Sequence, residues 1–239
     1  YFRITIIDQS SRRGVPLVEL KTVNNISYHT DSNGHIAFYE PGFMNQHVFF
    51  FIKSHGYLFP KDSFGFHGTR IHVKPGGHVT LPIQRINIAE RLYRITGSGV
   101  YRDSVLLGLP TPLHNPTLQA LVLGSDSVVN ALFQDKIYWF WGDTNRPSYP
   151  LGNFHVPGAT SLLPQAGGLD PEIGIELKYF TDNTGFARPT AKMAGKGPTW
   201  LSGLFSFRDQ QGKEHLLASY MKVRNFLEIY ERGLVKFNL

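Results

Sequence analysis

Short apolar runs alternate with clusters of turn-forming residues along the whole chain, and helical periodicity is nearly absent. Phe2–Ile7 (FRITII) is predicted to form a strand. In Val18–Val23 (VELKTV) apolar and polar residues alternate with a period of two, which is typical of strands with one buried face. The run Asp31-Ser32-Asn33-Gly34 combines short polar side chains with a glycine, as tight hairpin turns do. Val48–Ile52 (VFFFI) is a strand-sized apolar run. The pattern predicts an all-β fold.

The composition changes at residues 84–94 (QRINIAERLYR), where apolar strands give way to a polar and charged stretch. We expect this stretch to be a short helix or an extended linker, exposed or lightly packed, that limited proteolysis cuts first. Residues 1–83 form the first predicted domain. Residues 95–239 form the second, and they divide into units that end in aromatic-rich strands such as Ala131–Trp141 and Phe226–Phe237. Residues 208–213 (RDQQGK) are predicted to form a hairpin loop between two strands, and Gln134-Asp135-Lys136 a similar turn earlier in the chain. Hairpins repeated at roughly 40 to 50 residues are typical of β-propeller blades.

Four short segments occur in order within residues 1–83: Ile6-Ile7-Asp8, Gly14-Val15-Pro16-Leu17, Thr30–Ile36 and Lys53–Tyr57. They resemble the carboxypeptidase-regulatory-like, transthyretin-like domains. The resemblance implies a small immunoglobulin-like or transthyretin-like β-sandwich, used as a non-catalytic accessory module in exported bacterial proteins. We therefore place no catalytic residue in this domain.

Polar residues follow an aromatic strand in the second domain. Tyr138–Trp141 ends at Gly142, and Asp143, Thr144, Asn145 and Arg146 come directly after it. An acid, a hydroxyl and a guanidinium beside aromatic rings that stack on sugars predict a sugar site. The alternative is that Asp143 and Thr144 cap a local turn through hydrogen bonds from side chain to backbone.

The same region extends to two further segments, Gly152–His155 and Gly158–Ser161. Together with Ile137–Thr144 they are similar to the five-bladed glycoside-hydrolase propellers of the arabinanase-like group. In that group a Gly-Asp-Thr element near the first blade faces the sugar, which implies a site role for Asp143. The chain departs from the group because no second acidic residue falls at the family's spacing.

Glycoside hydrolysis requires a proton donor and a base or nucleophile across the scissile bond. Asp143 is the first catalytic candidate, and Asp103, with Arg102 as an ion-pair partner, is the first candidate for the second carboxylate. A solvated or structurally paired Asp103 is the alternative. Glu228, in the strand predicted for 226–230, comes next, and the weaker candidates are Asp182 and Glu176. The residues predicted to bind substrate are Arg102, Arg146, His155, Trp141 and Trp200.

Composition narrows the choice of partners and cofactors. A net charge of +6 without a basic run longer than Arg12-Arg13 argues against nucleic acid. The absence of cysteine excludes disulfides, cysteine metal sites and a cysteine nucleophile. The ten histidines form no HExxH or His-x-His motif, so we expect neither a metal nor a cofactor. No apolar stretch approaches the roughly 18 residues of a membrane-spanning helix.

Two functions follow for a protein that we expect to be secreted, periplasmic or on the cell surface. The first is a glycoside hydrolase acting on a polysaccharide, and the second is a non-catalytic carbohydrate-binding or structural assembly protein. Paired carboxylates in one cleft would favour the enzyme. Because the chain opens with Tyr1, we expect an upstream segment to have been removed or left out.

The second domain is expected to be an incomplete propeller. A closed propeller of at least four or five blades, at roughly 40 to 50 residues each, requires more residues than follow Arg94. An open array of blades would leave a long sheet edge exposed. We therefore expect the remaining blades to come from the rest of the same gene product, a second chain or a neighbouring subunit.

Overall fold

The computed structural model describes residues 1–225 and 227–238. Strands make up nearly all of the regular structure, so the predicted all-β fold is confirmed. The chain divides into two compact units. The first contains Tyr1–Ile95 and Gly99–Thr117, and the second contains Thr96–Ser98 and the chain from Leu118 onward. The segment 99–117 therefore groups with the first unit, whereas the sequence placed it in the second domain.

The first unit contains two four-stranded sheets. Its strands are β1 (Phe2–Asp8), β2 (Glu19–Thr22), β3 (Ser27–His29), β4 (His35–Phe38), β5 (His47–Lys53), β6 (Tyr57–Leu58), β7 (Gly68–His72) and β8 (His78–Arg85), and its helix is α1 (Arg102–Leu106). One sheet has the order β4-β1-β8-β6 and the other β3-β2-β5-β7. All pairs are antiparallel except β1 with β8, which run parallel. Every strand predicted in residues 1–83 has a counterpart here.

The core of the first unit lies between these two sheets. Phe2, Ile4 and Ile6 alternate along β1 and are buried, as expected for a strand with one face in the core. Val48, Phe50 and Ile52, which alternate along β5 in the other sheet, belong to the same hydrophobic cluster. The two sheets therefore pack face to face as a sandwich.

Residues 84–94 contain no helix. Strand β8 continues to Arg85, and the stretch after it bends at residues 87–89 and has no regular secondary structure. The side chains of Ile86 and Ile88 are exposed. Arg91 is held in place, because its guanidinium donates to the carbonyl oxygens of Pro16 at 2.6 Å and His55 at 2.7 Å. The stretch is therefore not the short helix that was one of the two expected forms, and it is anchored to the first unit at Arg91.

A buried carboxylate attaches the segment 99–117 to the first unit. Oδ2 of Asp31 accepts hydrogen bonds from the amide and the hydroxyl of Ser104, at 2.6 and 2.7 Å. Asp103 accepts from the amide of Ala37 at 2.9 Å. Ala37 belongs to β4, an edge strand, so Asp103 satisfies a donor that the sheet leaves unpaired.

The second unit consists of three antiparallel sheets. Its strands are β9 (Gly124–Ser125), β10 (Val128–Phe133), β11 (Lys136–Trp141), β12 (Thr144–Arg146), β13 (Tyr149–Asn153), β14 (Gly158–Leu162), β15 (Lys178–Tyr179), β16 (Thr199–Arg208), β17 (Glu214–Arg224) and β18 (Glu228–Lys236), with a 3-10 turn at Pro164–Ala166. The sheet orders are β10-β11-β14-β15, β13-β12-β9 and β16-β17-β18. None of the described helices is long and apolar enough to span a membrane.

The predicted hairpins of the second unit are present. Gln134 and Asp135 form the turn between β10 and β11, and residues 209–213 join β16 to β17. Strand β18 matches the last predicted strand from Glu228 onward. The predicted start of that strand at Phe226 lies outside the described residues, and its predicted last residue, Phe237, follows the end of β18.

Candidate functional site

The hairpin of β10 and β11 brings two carboxylates together at its open end. Val128 pairs with Trp141, and continuing the antiparallel register brings Asp126 opposite Asp143. The amide of Asp126 donates to the carbonyl of Asp143 at 3.0 Å. The amide of Asp143 donates to Oδ1 of Asp126, also at 3.0 Å. Backbone pairing therefore fixes the two residues side by side.

Gly142 makes room for the Asp126 carboxylate. A Cβ atom at this position would lie 2.0 Å from Oδ1 of Asp126 and 2.5 Å from Oγ of Ser127. Oγ of Ser127 donates to the same Asp126 oxygen at 3.1 Å. Any side chain at residue 142 would displace these groups, so the geometry of the site requires glycine here.

The carboxylate of Asp143 does not cap a turn. Its Oδ1 is buried and has no hydrogen-bond partner among the residues that the structure describes. Thr144 makes the turn contact instead, because its hydroxyl donates to the carbonyl of Gly142 at 3.1 Å. Burial raises the pKa of Asp143, and the negative charge of Asp126 raises it further, while a hydrogen bond to the Trp200 side chain acts in the opposite direction.

Both carboxylates line a cavity of about 280 Å³, together with Trp141 and Trp200. This volume is close to the lower end of the range for small-ligand sites, roughly 300–1,000 Å³. Trp141 is 4% exposed and stacks on Trp139 with ring centroids 6.4 Å apart, so it forms a wall of the cavity. Trp200, on β16, is half-buried and presents more ring surface. The structure thus brings together three of the predicted site residues: Asp143, Trp141 and Trp200.

Arg146 and His155 belong to the same unit but are not among the described residues that line this cavity. The guanidinium of Arg146 lies over the ring of Phe186, 4.5 Å from its centroid. The pKa of His155 is lowered by burial and by the positive charges of Lys222 and Lys192. Nε of Arg146 and Nδ1 of His155 are buried and have no hydrogen-bond partner among the residues that the structure describes.

Asp103 and Arg102 lie in the first unit, on α1. Asp103 is 3% exposed, holds the amide of Ala37, and has Nε of Arg102 at 3.4 Å from its Oδ2. Its carboxylate therefore serves a structural contact within the sandwich unit. The choice of Asp103 as the second carboxylate stays a prediction, and the acidic residue that the structure places next to Asp143 is Asp126.

The remaining acidic candidates have local roles or lie elsewhere. Glu228 accepts from Arg224 at 2.8 Å and is exposed. Asp182 accepts from the amide and hydroxyl of Thr184 in a turn. Asp182, Glu228 and Glu176 are not among the described residues of the cavity lining.

Sequence reasoning missed Asp126, although a signal for it was present. The predicted turn at Gln134 and Asp135 fixes which residues of the hairpin face one another. Extending that register from the turn to Asp143 reaches Asp126, within the glycine- and serine-rich stretch Leu123–Ser127. The second acid was sought at the spacing of the arabinanase-like group. The register of the hairpin, counted from its turn, points to Asp126 instead.

Comparison with protein-family models, with curated proteins and with solved structures yields no match to this chain. Among the described residues, no group of three or more histidine, aspartate or glutamate side chains is arranged to hold a metal ion. The arrangement of the site is therefore interpreted from its own chemistry: two adjacent carboxylates, one of them with a raised pKa, beside tryptophan rings.

Proposed function

We propose that the chain is an exported carbohydrate-active protein whose second unit hydrolyses glycosidic bonds of a polysaccharide. The observation that carries the proposal is the pair Asp126 and Asp143, which line one cavity with Trp141 and Trp200. Glycosidases use two carboxyl groups in different protonation states. A cavity wall of indole rings suits the apolar faces of sugars, and Trp200 has ring surface available for stacking.

Asp143 is assigned as the general acid. Burial and the neighbouring charge of Asp126 favour its protonated form, which is the form that donates a proton to the leaving glycosidic oxygen. Asp126 is more exposed, and as a carboxylate it serves as the base or nucleophile. In the overall reaction the glycosidic C–O bond breaks, water supplies a hydroxyl to the anomeric carbon, and a proton ends on the leaving oxygen.

The proposal includes the two family resemblances found in the sequence, one for each predicted domain. A carboxypeptidase-regulatory-like sandwich would be the accessory module, and an arabinanase-like propeller, completed by further blades, would carry the site. Export to the periplasm, the cell surface or the medium fits a polysaccharide substrate.

A non-catalytic glycan-binding protein is the second candidate. It is favoured by the contacts of Asp126, whose Oδ1 already accepts from the amide of Asp143 and the hydroxyl of Ser127. A carboxylate held in this way suits a sugar hydroxyl as well as a catalytic step. The binder would retain oligosaccharides in a pull-down with insoluble glycan without releasing products.

The test is a screen of arabinan and other plant and bacterial polysaccharides for release of reducing ends. Asp143→Asn and Asp126→Asn are each expected to lower kcat by roughly 10²-fold or more, with circular dichroism unchanged. Asp135→Asn is the matched control, because Asp135 lies in the turn of the same hairpin at φ 58°, a conformation that asparagine tolerates. Full activity of Asp143→Asn would contradict the proposal.

A further inference from the structure

A second cavity in the same unit is lined by positive charge. It has a volume of about 350 Å³, and its lining includes Arg188, Lys192 and Lys236. All three residues are exposed, and none of them forms an ion pair with a carboxylate in the part of the chain that the structure describes. No aspartate or glutamate is among the described residues of this lining. The cavity is therefore complementary to an anion.

The floor of this cavity is apolar. It includes Leu204, Leu216 and Phe237, and the ring of Phe237 lies 5.8 Å from that of Phe140. A site with an apolar floor and a cationic rim suits a ligand that has both a C–H surface and a carboxylate. Arginine and lysine bind carboxylates through charge-assisted hydrogen bonds, which are stronger than neutral ones.

The cationic cavity adjoins the cavity of the carboxylate pair. Phe140 and Leu201 line both of them. An extended ligand that occupies the first cavity can therefore reach the second cavity past Phe140 and Leu201. The two cavities differ in their ionisable groups, which are the carboxyl pair Asp126 and Asp143 in the first and the cations Lys192 and Lys236 in the second, so a polymer of anionic rings would place a carboxylate in the second cavity.

We propose that the cationic cavity binds a carboxylate-bearing sugar ring, so that the substrate class of this site is an acidic polysaccharide built from uronic acids. The inference rests on the proposed function, whose carboxylate pair it extends to a neighbouring subsite. A fatty acid also combines a carboxylate with apolar carbon, but a free acyl chain gives no role to the adjoining cavity with its acidic pair and indole rings. A polymer of uronic acids accounts for the cationic lining of one cavity and for the carboxyl pair and indole rings of the other.

The experiment measures binding by isothermal titration calorimetry, independently of turnover. The probes are hexasaccharides of galacturonate, mannuronate and glucuronate, with the methyl-esterified galacturonate hexamer as a neutral ligand of the same ring structure and palmitate as the fatty acid. We compare the wild type with a Lys192→Met, Lys236→Met double variant. Lys213→Met is the control, since Lys213 lies in the loop between β16 and β17 and outside the described lining of either cavity.

At least one acidic hexamer is expected to bind the wild type and to bind the double variant at least about tenfold more weakly. The methyl ester is expected to bind both proteins equally weakly, and Lys213→Met is expected to behave as wild type. The double variant must retain the wild-type thermal unfolding midpoint. If it does not, Arg188→Gln replaces it in the same comparison, with the same expectation of weaker binding to the acid alone.

Three results of the binding experiment overturn the inference. They are binding of no acidic hexamer, binding that is unaffected by these substitutions, and selective binding of palmitate at Lys192 and Lys236 in place of the uronates. Failure of the proposed hydrolysis is seen separately. Binding of an acidic hexamer without any cleavage would keep the subsite and reject the enzyme, whereas cleavage of neutral polysaccharides alone would keep the enzyme and reject the subsite.

Discussion

Asp143 and Asp126 carry the same chemical group in different surroundings. Asp143 has a buried oxygen without a partner in the described chain, and burial is the main cause of its raised pKa. Asp126 is exposed, and its Oδ1 accepts hydrogen bonds from the amide of Asp143 and the hydroxyl of Ser127. Because Asp143 is the more buried of the two, we assign the general acid to Asp143 and the base or nucleophile to Asp126.

The hydrogen bond between the Trp200 side chain and Asp143 lowers the pKa of Asp143 and so opposes the effect of burial. Trp200→Phe removes the indole N–H and keeps an aromatic ring. The pKa of Asp143 should then rise, and the general acid should remain protonated to higher pH. We expect the basic limb of the kcat/KM profile to move to higher pH. An unchanged or acid-shifted basic limb would contradict the assigned role of Asp143.

Asp143→Asn should stabilise the folded protein at neutral pH. The folded-state pKa of Asp143 is raised, so its stabilising effect is fully present below the unfolded-state pKa and is lost as pH rises through the folded value. Above that range the charged carboxylate opposes folding, and the amide does not. The thermal midpoint of the variant should exceed that of the wild type at pH 7, and the difference should shrink in acid. A midpoint at pH 7 equal to or below that of the wild type would show that Asp143 carries no such penalty.

The hairpin of β10 and β11 depends on a glycine at its open end. Gly142→Ala would place a methyl group against Oδ1 of Asp126 and Oγ of Ser127, and both side chains would have to move. We expect a loss of activity of roughly tenfold or more, since misplacement of a catalytic group by 1 Å is costly. Gly124→Ala is the matched control in the neighbouring strand β9, where an added Cβ meets nothing within 4 Å.

The two variants are compared by kcat and by urea denaturation. Gly124→Ala should retain wild-type kcat. Equal kcat values for Gly142→Ala and the wild type would mean that the position of Asp126 is irrelevant to the reaction.

Strand patterns were readable from the sequence because burial alternates with side-chain direction. The apolar runs predicted strands at β1 and β5, and the residues Gln134 and Asp135 predicted the turn of the hairpin. Asp126 was not predicted, since its importance comes from the register that places it opposite Asp143. Pairing across a hairpin is a relation between two segments, and it appears in the sequence only when the turn is used to count outward.

Asp103 is a residue whose sequence surroundings suggested a functional role, whereas its observed contacts are structural. Its glycine-flanked, polar neighbourhood looked like a site, but the residue satisfies an edge-strand amide of the sandwich. The partners that decide this role, Ala37 of β4 and the buried Asp31 that holds Ser104, are far away along the chain. Contacts of this range are set by tertiary packing and have no local pattern.

The first unit should require residues 99–117 for full stability. A fragment of residues 1–117 keeps the contacts of Asp31 with Ser104 and of Ala37 with Asp103, and a fragment of residues 1–94 loses them. We expect the free energy of unfolding of the shorter fragment to be lower by about 2 kcal/mol or more, as several buried hydrogen bonds are lost. Urea denaturation of the two fragments measures it. Equal free energies would mean that the segment 99–117 adds nothing to the sandwich.

The central claim is that Asp126, Asp143 and the two tryptophans form one glycan site. The most direct measurement is a crystal structure of Asp143→Asn with a bound oligosaccharide that the wild type cleaves or retains. The account predicts a sugar ring stacked on Trp200, with a glycosidic oxygen within hydrogen-bond distance of residue 143 and Asp126 close to the anomeric carbon. An oligosaccharide bound elsewhere on the protein, with this cavity empty, would contradict it.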